Sequence, residues 1–110
     1  MLDRQLLKGT IPLLVLSLLA SKDRYGYDLI KSMEHQSNAV FRFSEGTLYP
    51  VLHSLERDGC LTSLWQDTGL RRRKYYRITE RGRAELARRR EQWRLFTTSV
   101  AAILDGAGDA

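Results

Sequence analysis

The segment that decides the fold spans residues 59–79 and reads GCLTSLWQDTGLRRRKYYRIT. It opens with Gly59, a residue type that commonly ends a helix, and continues into a short apolar-polar run at Leu61–Trp65. Asp67-Thr68-Gly69 is a turn signal, and Arg73–Ile78 is rich in the aromatic and β-branched residues that favour strands. The segment therefore predicts a helix end followed by a β-hairpin.

Two helices are predicted well before this hairpin. The first covers residues 5–21, but Thr10 and Pro12 can instead mark a later start, because proline is tolerated only in the first turn of a helix. The second runs from Tyr25 to about Gln36 and carries an apolar stripe at helical spacing.

A third helix leads directly into the hairpin. Ser44 is a good N-cap, and the helix ends near Gly59. Pro50 is awkward inside it, because its ring would clash with the carbonyl group of Gly46. The residues alone would begin this helix at Pro50 and leave the conformation of residues 44–49 open.

After the hairpin, Thr79 caps a long final helix that runs from Glu80 to about Leu104. Three helices followed by a two-stranded hairpin is the order of a winged helix-turn-helix. The expected fold is therefore mainly α with a small β-hairpin. Residues 1–79 are predicted to form a winged helix-turn-helix DNA-binding domain, and residues 80–110 a C-terminal dimerisation helix with a short tail.

The charge of the chain is concentrated in one segment. The 110 residues carry a formal net charge of +5. Residues 1–70 hold seven Lys or Arg against eight Asp or Glu, whereas residues 71–94 hold eleven against three, a net of +8. Such a one-sided basic segment indicates a polyanionic partner. A solvated charged helix is the alternative for the later arginines.

The sharpest local signal is the cation run Arg71, Arg72, Arg73 and Lys74 beside the turn, followed by Tyr75. Four consecutive cations on a strand cannot all be buried or paired, and they repel one another unless an anion is near. On a projecting hairpin they can reach a phosphate backbone or a minor groove. The run predicts a DNA-binding surface, with a solvated loop as the alternative.

The first turn of the third helix offers further candidates for DNA binding. Ser44 and Thr47 carry short hydroxyl groups and Tyr49 a longer one, and a helix N-terminus directs free N–H groups at phosphates. In a helix-turn-helix, the start of the second helix of the motif meets base edges in the major groove. Tyr49 is equally well explained as a core aromatic residue, and both interpretations stay open.

Four ordered segments of the chain resemble the signatures of the PadR family. They are Lys8-Gly9-Thr10, Tyr25-Gly26-Tyr27-Asp28-Leu29, Ser44-Glu45-Gly46-Thr47-Leu48-Tyr49-Pro50 and Arg72-Arg73-Lys74-Tyr75-Tyr76-Arg77-Ile78-Thr79. Their spacing also matches the family's pattern, so the resemblance covers essentially the whole chain. The length, with one C-terminal helix, resembles the family's shorter subgroup.

This resemblance implies a winged-helix homodimer, usually a repressor, that binds a pseudo-palindromic operator in double-stranded DNA and responds to small molecules. It implies that the third helix begins near Glu45 despite the proline. It also implies that Tyr25, Tyr27 and Lys31 face the DNA backbone. Pro12 within the first helix is a departure from the family's pattern.

The final helix is the candidate dimer interface. A helix that extends beyond so small a core cannot cover apolar side chains with its own chain, so a second subunit is expected. The stripe has a/d-like spacing, interrupted by Arg89. It comprises Leu86, Trp93, Phe96, Val100, Ile103 and Leu104.

Trp93 and Phe96 carry a second interpretation. In the multidrug-responsive proteins that this chain resembles, a tryptophan on the last helix stacks flat aromatic ligands at the dimer interface. The resemblance therefore makes Trp93 and Phe96 candidates for binding a small aromatic effector. Packing of the interface alone is the alternative, since large aromatic residues dominate such contacts.

Several other functions find no support in the sequence. No Gly-rich phosphate loop or nucleophile elbow is present, so no enzyme, catalytic residue or cofactor is expected. His35, His53 and Cys60 have no metal-ligand spacing. As the only cysteine, Cys60 cannot form an internal disulfide; an inert buried thiol in the reducing cytoplasm is expected. The apolar run Ile11–Ala20 is shorter than the roughly 20 residues that a membrane span needs.

Two alternative functions remain beside that of a PadR-like regulator. One is a MarR-type regulator, although such chains are usually longer, with helices on both sides of the winged domain contributing to the dimer. The other is a winged-helix module that binds a ligand or a protein and has lost DNA binding. The four cations at the hairpin argue against the second alternative, because such a module has no need of them.

Overall fold

The computed structural model describes residues 3–7 and 9–106. The fold is mainly helical with one small antiparallel sheet, as the sequence predicted. Its elements are α1 (Arg4–Leu7), α2 (Ile11–Ser21), β1 (Arg24–Tyr25), α3 (Gly26–Gln36), α4 (Glu45–Arg57), β2 (Leu61–Thr68), β3 (Arg71–Ile78) and α5 (Glu80–Gly106).

The predicted first helix is interrupted by a turn. Gly9 has φ +85°, a left-handed conformation that glycine adopts at no steric cost, and it separates α1 from α2. α2 then begins at Ile11 with Pro12 in its first turn, where the missing N–H group costs nothing. A continuous helix over residues 5–21 is therefore wrong and the later start is correct. Lys8, the first residue of the first family-like segment, lies outside the described residues.

α4 begins at Glu45, as the family resemblance implied, and a start at Pro50 is wrong. The hydroxyl oxygen of Ser44 accepts a hydrogen bond from the Thr47 N–H at 3.3 Å, so the N-cap is formed six residues ahead of the proline. Leu48 is fully buried in this first stretch. The cap and the burial together offset the hydrogen bond that Pro50 cannot donate.

The hairpin is longer than predicted and belongs to a three-stranded sheet in the order β1-β3-β2. Strands β2 and β3 pair without interruption from Leu61↔Ile78 to Thr68↔Arg71, which leaves Gly69 and Leu70 as a two-residue loop. Gly69 has φ +75°, as two-residue hairpin loops require at their first position. We call residues 61–78 the wing. The predicted turn at Asp67-Thr68-Gly69 begins two residues too early and shares only Gly69 with the observed loop.

β1 is a short strand that the sequence did not reveal, and Arg24 holds it in place. This arginine is only 8% exposed and donates hydrogen bonds to the Leu18 carbonyl oxygen and the Ser32 hydroxyl. It also forms an ion pair with Asp28 at 3.2 Å. Because these contacts join α2 and α3, the following residue, Tyr25, is fixed beside β3.

The core lies between α2, α3, α4, the sheet and the first turns of α5. Its fully buried side chains are Val15, Leu16, Leu19, Leu29, Leu48, Leu52, Leu61 and Tyr76. Leu86 is 7% exposed and belongs to this core. Beyond it α5 projects away from the domain, which gives the molecule extents of 63 × 30 × 21 Å.

A compact joint connects α5 to the end of α4. The Thr79 hydroxyl donates to the Gly59 carbonyl oxygen at 2.7 Å and accepts from the Gly82 N–H at 3.0 Å. The Thr79 N–H donates to the Cys60 carbonyl oxygen at 3.0 Å. Gly82 is buried at this joint, and a Cβ atom there would lie 2.2 Å from the Cys60 carbonyl oxygen. The start of α5 is therefore fixed by direct backbone contact with the residues that follow α4.

Candidate nucleic-acid interface

The predicted wing cations lie on the tip half of β3, beside the loop. Side chains alternate between the two faces of a strand, so Arg72 and Lys74 share the face that carries Trp65 of β2. Arg73 lies on the other face with Tyr75. The Arg73 guanidinium carbon is 4.5 Å from the centroid of the Tyr25 ring.

The residues implied by the family resemblance at the start of α3 lie next to the wing. The Tyr25 and Tyr75 rings meet edge to face with centroids 5.3 Å apart. Tyr27 is 51% exposed, and the Lys31 ammonium nitrogen lies 5.5 Å from its ring centroid and 3.8 Å from a Glu34 carboxylate oxygen. The structure therefore brings these residues and the wing to one surface.

At the start of α4, Ser44 and Thr47 are exposed and their hydroxyl oxygens lie 3.2 Å apart. Tyr49 is partly buried against the core. Its hydroxyl oxygen lies 2.7 Å from where a Cβ atom of Gly26 would stand, so only glycine at position 26 allows this close approach. Tyr49 thus packs α4 against the start of α3, which agrees with its interpretation as a core aromatic residue and leaves a contact with DNA untested.

An open groove of about 850 Å³ separates the wing from the two helices. We call it the wing groove. It is lined by Tyr25 of β1, Gly26 and Tyr27 of α3, Glu45 and Tyr49 of α4, and Trp65, Leu70, Arg71, Arg72, Arg73, Lys74 and Tyr76 of the wing. Cations and aromatic rings dominate these walls, a combination suited to a polyanion that carries planar bases.

Outside the wing groove, several cations are paired with carboxylates. Arg77, also on β3, binds Asp23 at 2.8 Å, and this hydrogen-bonded pairing raises the pKa of the guanidinium. On α5, Arg88 and Arg89 both bind Glu85 at 2.7 Å. The hydrogen bond from Arg88 contributes most to lowering the pKa of Glu85 to about 2. The high charge of residues 71–94 is therefore partly compensated on α5, where residues 80–94 hold six arginines and three glutamates.

The apolar stripe of α5 is exposed in the single chain from Trp93 onward. Trp93 is 46% and Phe96 61% exposed, and their rings stack with centroids 6.2 Å apart. Val100, Ile103 and Leu104 continue the exposed stripe. Leu86 differs, because it is buried in the core of its own subunit, so we leave it out of the dimer surface proposed below.

Sequence reasoning missed two exposed residues of the wing. Trp65 of β2 is 55% exposed on the face toward the wing groove, and Leu70 stands fully exposed in the loop. Trp65 was counted as part of an apolar strand, because only the strand register shows that it lies opposite Lys74. The sequence signal that could have identified Trp65 is its position nine residues before Lys74, with a tight turn between them.

Other features of the described residues concern the cysteine, metal-ligating side chains and membrane-spanning helices. Cys60 is buried, and burial raises the pKa of its thiol, as expected for an inert cysteine. Over residues 3–7 and 9–106, no cluster of three metal-ligating side chains is found. Within the same residues, no helix is long and apolar enough to cross a membrane.

Comparison with known proteins assigns the family. The model of the transcriptional regulator PadR-like family matches residues 15–88. Transcriptional regulator Rv3488 of Mycobacterium tuberculosis is 36% identical over 83 residues, which cover 76% of this chain and 75% of that protein.

Solved structures agree with this match. A PadR family transcriptional regulator from Eggerthella lenta is 37% identical with a TM-score of 0.81, covering 92% of this chain and 87% of that one. A transcriptional regulator from Clostridium thermocellum is 29% identical with a TM-score of 0.85, covering 92% and 96%. These similarities decide against the MarR-type alternative. The chain belongs to the PadR-like family of transcriptional regulators, which are not enzymes.

Proposed function

We propose that this chain binds double-stranded DNA as a homodimer at a pseudo-palindromic operator, represses transcription, and is released by a small flat aromatic effector. One observation supports DNA binding above the others: the four wing cations line the same groove as Glu45 and Tyr49 of α4, close in sequence to the exposed Ser44 and Thr47. Residues 1–79 would supply DNA binding and residues 80–110 dimerisation, although the first turns of α5 also belong to the core.

The proposed contacts divide by chemistry. Ser44 and Thr47, at the start of α4, would meet base edges in the major groove, with Tyr49 beside them. The wing would contact the phosphate backbone or the minor groove through Arg71, Arg72, Arg73, Lys74 and Tyr75. Tyr25, Tyr27 and Lys31 would contact the backbone between these two regions.

Removing two wing cations tests this arrangement. We expect the double substitution Arg72→Ala with Arg73→Ala to weaken binding to operator and random DNA alike. The slope of log K against log [salt] is negative, and each lost phosphate contact makes it shallower by about 0.9, so its magnitude should fall by roughly 2 for each bound wing. Affinities measured by fluorescence anisotropy over a range of salt concentrations give this slope.

The matched control removes two exposed arginines of α5, Arg83→Ala with Arg90→Ala, and so produces the same change in net charge. A specific wing contact predicts a slope close to that of the unsubstituted chain for this control. Equal slopes for both double variants would show that only net charge matters and that the wing does not touch DNA.

The proposed effector site lies at the exposed Trp93 and Phe96 pair. A flat ligand stacked there within the dimer would bias the dimer away from DNA only if it binds the DNA-incompetent form more tightly. In a Trp65→Phe background, we expect planar cationic or phenolic compounds to quench Trp93 fluorescence and to release DNA over the same concentration range.

The decisive variant adds Trp93→Ala to a chain that still dimerises, with dimerisation checked by sedimentation. Because this variant has no tryptophan left in the Trp65→Phe background, its readout is the release of DNA, which should then be lost. Release of DNA that persists in this variant would place the effector site elsewhere and leave Trp93 as a packing residue.

A further inference from the structure

Four cations at or beside the wing groove have a contact that is found for none of the cations of α5, namely an aromatic ring beneath the charged group. Within the described part of the chain, four such pairs occur. They are Arg72 over Trp65 at 4.9 Å, Arg73 over Tyr25 at 4.5 Å, Lys74 over Tyr76 at 5.5 Å and Lys31 over Tyr27 at 5.5 Å, each measured to the ring centroid. These distances lie within the range of attractive cation–π contacts.

A carboxylate is available at the wing, but it forms no ion pair with Arg72, Arg73 or Lys74. Asp67 stands directly opposite Arg72 in the strand register. Among the described side chains, however, Arg72, Arg73 and Lys74 form no ion pair, whereas Arg77, Arg88 and Arg94 do. A ring orients a guanidinium group without cancelling its charge, and it leaves the N–H donors at the edge of the group available to a phosphate.

Among the four rings, the position of the Trp65 ring is the one that packing of the fold explains least. It is 55% exposed on β2, lies outside the core, and its visible contact is the Arg72 guanidinium.

We propose that Trp65 is a positioning residue for DNA binding: its ring holds the Arg72 guanidinium in the orientation in which that group meets a phosphate. A free arginine side chain loses rotamer freedom when it binds, and holding it beforehand lowers that cost. This inference rests on the proposed DNA contact of Arg72.

A double-mutant cycle between Trp65 and Arg72 tests the inference. On a fluorescent duplex of mixed sequence, Trp65→Leu should weaken binding about two- to five-fold for each bound wing, the worth of an exposed cation–π contact. The salt slope should stay unchanged, because no phosphate contact is lost. Trp65→Phe should retain most of the affinity, because it keeps a ring.

The decisive comparison is made in the Arg72→Ala background, where Trp65→Leu should have no further effect. Thermal unfolding of each variant confirms that the fold is kept. An equal loss in both backgrounds would overturn the inference, because Trp65 would then act on DNA or on the wing without Arg72. An Arg72→Ala variant with unchanged affinity and salt slope would overturn the proposed wing contact itself and the inference with it. If Arg72→Ala changes the salt slope but the effects of the Trp65 and Arg72 substitutions are simply additive, only the inference about Trp65 is overturned, and the proposed wing contact stands.

Discussion

Gly82→Ala is expected to destabilise the protein strongly, although it replaces a poor helix former by the best one inside a helix. The added Cβ atom would lie 2.2 Å from the Cys60 carbonyl oxygen and 2.7 Å from Ile78 Cγ1. The first of these is a backbone atom, so the joint between α4 and α5 must move. Overpacking of this kind costs about 1–3 kcal/mol or more, and helix propensity returns only about 1 kcal/mol.

We therefore expect a net loss of up to about 2 kcal/mol in the free energy of unfolding, or a fall in Tm of up to roughly 8–16 °C in a domain of this size. Circular dichroism at one fixed protein concentration measures it, since dimerisation makes Tm depend on concentration. Gly46→Ala is the matched control, because its Cβ atom would meet nothing nearer than the Ser44 hydroxyl at 3.8 Å. A Gly82→Ala variant as stable as this control would disprove the close packing at the joint.

The second large effect is expected at the exposed stripe of α5. Phe96→Glu with Ile103→Glu places two charges on a surface that the proposed dimer buries, and should convert the dimer into a monomer. A monomer binds one half-site instead of two and loses the gain from linked binding, about 10²- to 10⁴-fold in apparent affinity for an operator. Sedimentation and operator titration measure the two consequences separately.

The control for this variant carries the same charges on the opposite face of the helix, as Thr98→Glu with Ala102→Glu. Both positions are exposed, so the fold should be kept and the dimer should remain. The proposed interface is contradicted when the stripe variant stays dimeric, or when both variants dissociate equally.

The elements that could be predicted from the sequence were those with local signals. The hairpin followed from its turn residues and β-branched and aromatic content, and α5 from its cap and length. The basic run at Arg71–Lys74 was placed correctly on the wing, because the charges can be counted from the sequence without knowing the fold.

The elements that could not be predicted depend on distant partners. β1 has only two residues, and it exists because Arg24 and Tyr25 pair with Tyr76 and Tyr75, some fifty residues away. The start of α4 was misplaced when the residues were read alone, since the cost of Pro50 is local whereas the burial of Leu48 is a property of the core.

The same reason explains the errors at the candidate site. Leu86 shares the heptad spacing of the α5 stripe, but the helix leaves the core only beyond it, and spacing alone does not show that point. Trp65 looked like an ordinary strand residue until the register placed it opposite Lys74 and its ring under Arg72.

The joint at Thr79 and Gly82 has a mechanical consequence. Because α5 is held by backbone contacts to the residues that follow α4, it forms a rigid lever whose base is fixed to the end of α4. Over a length of about 40 Å, a tilt of about 5° at the base displaces the far end by about 3.5 Å, close to the rise of one base pair. In a dimer held by α5, the tolerance for operator spacing would therefore be narrow. One inserted base pair would also rotate the half-sites by about 35° relative to each other, and a rigidly connected α5 would have no hinge that could absorb that rotation.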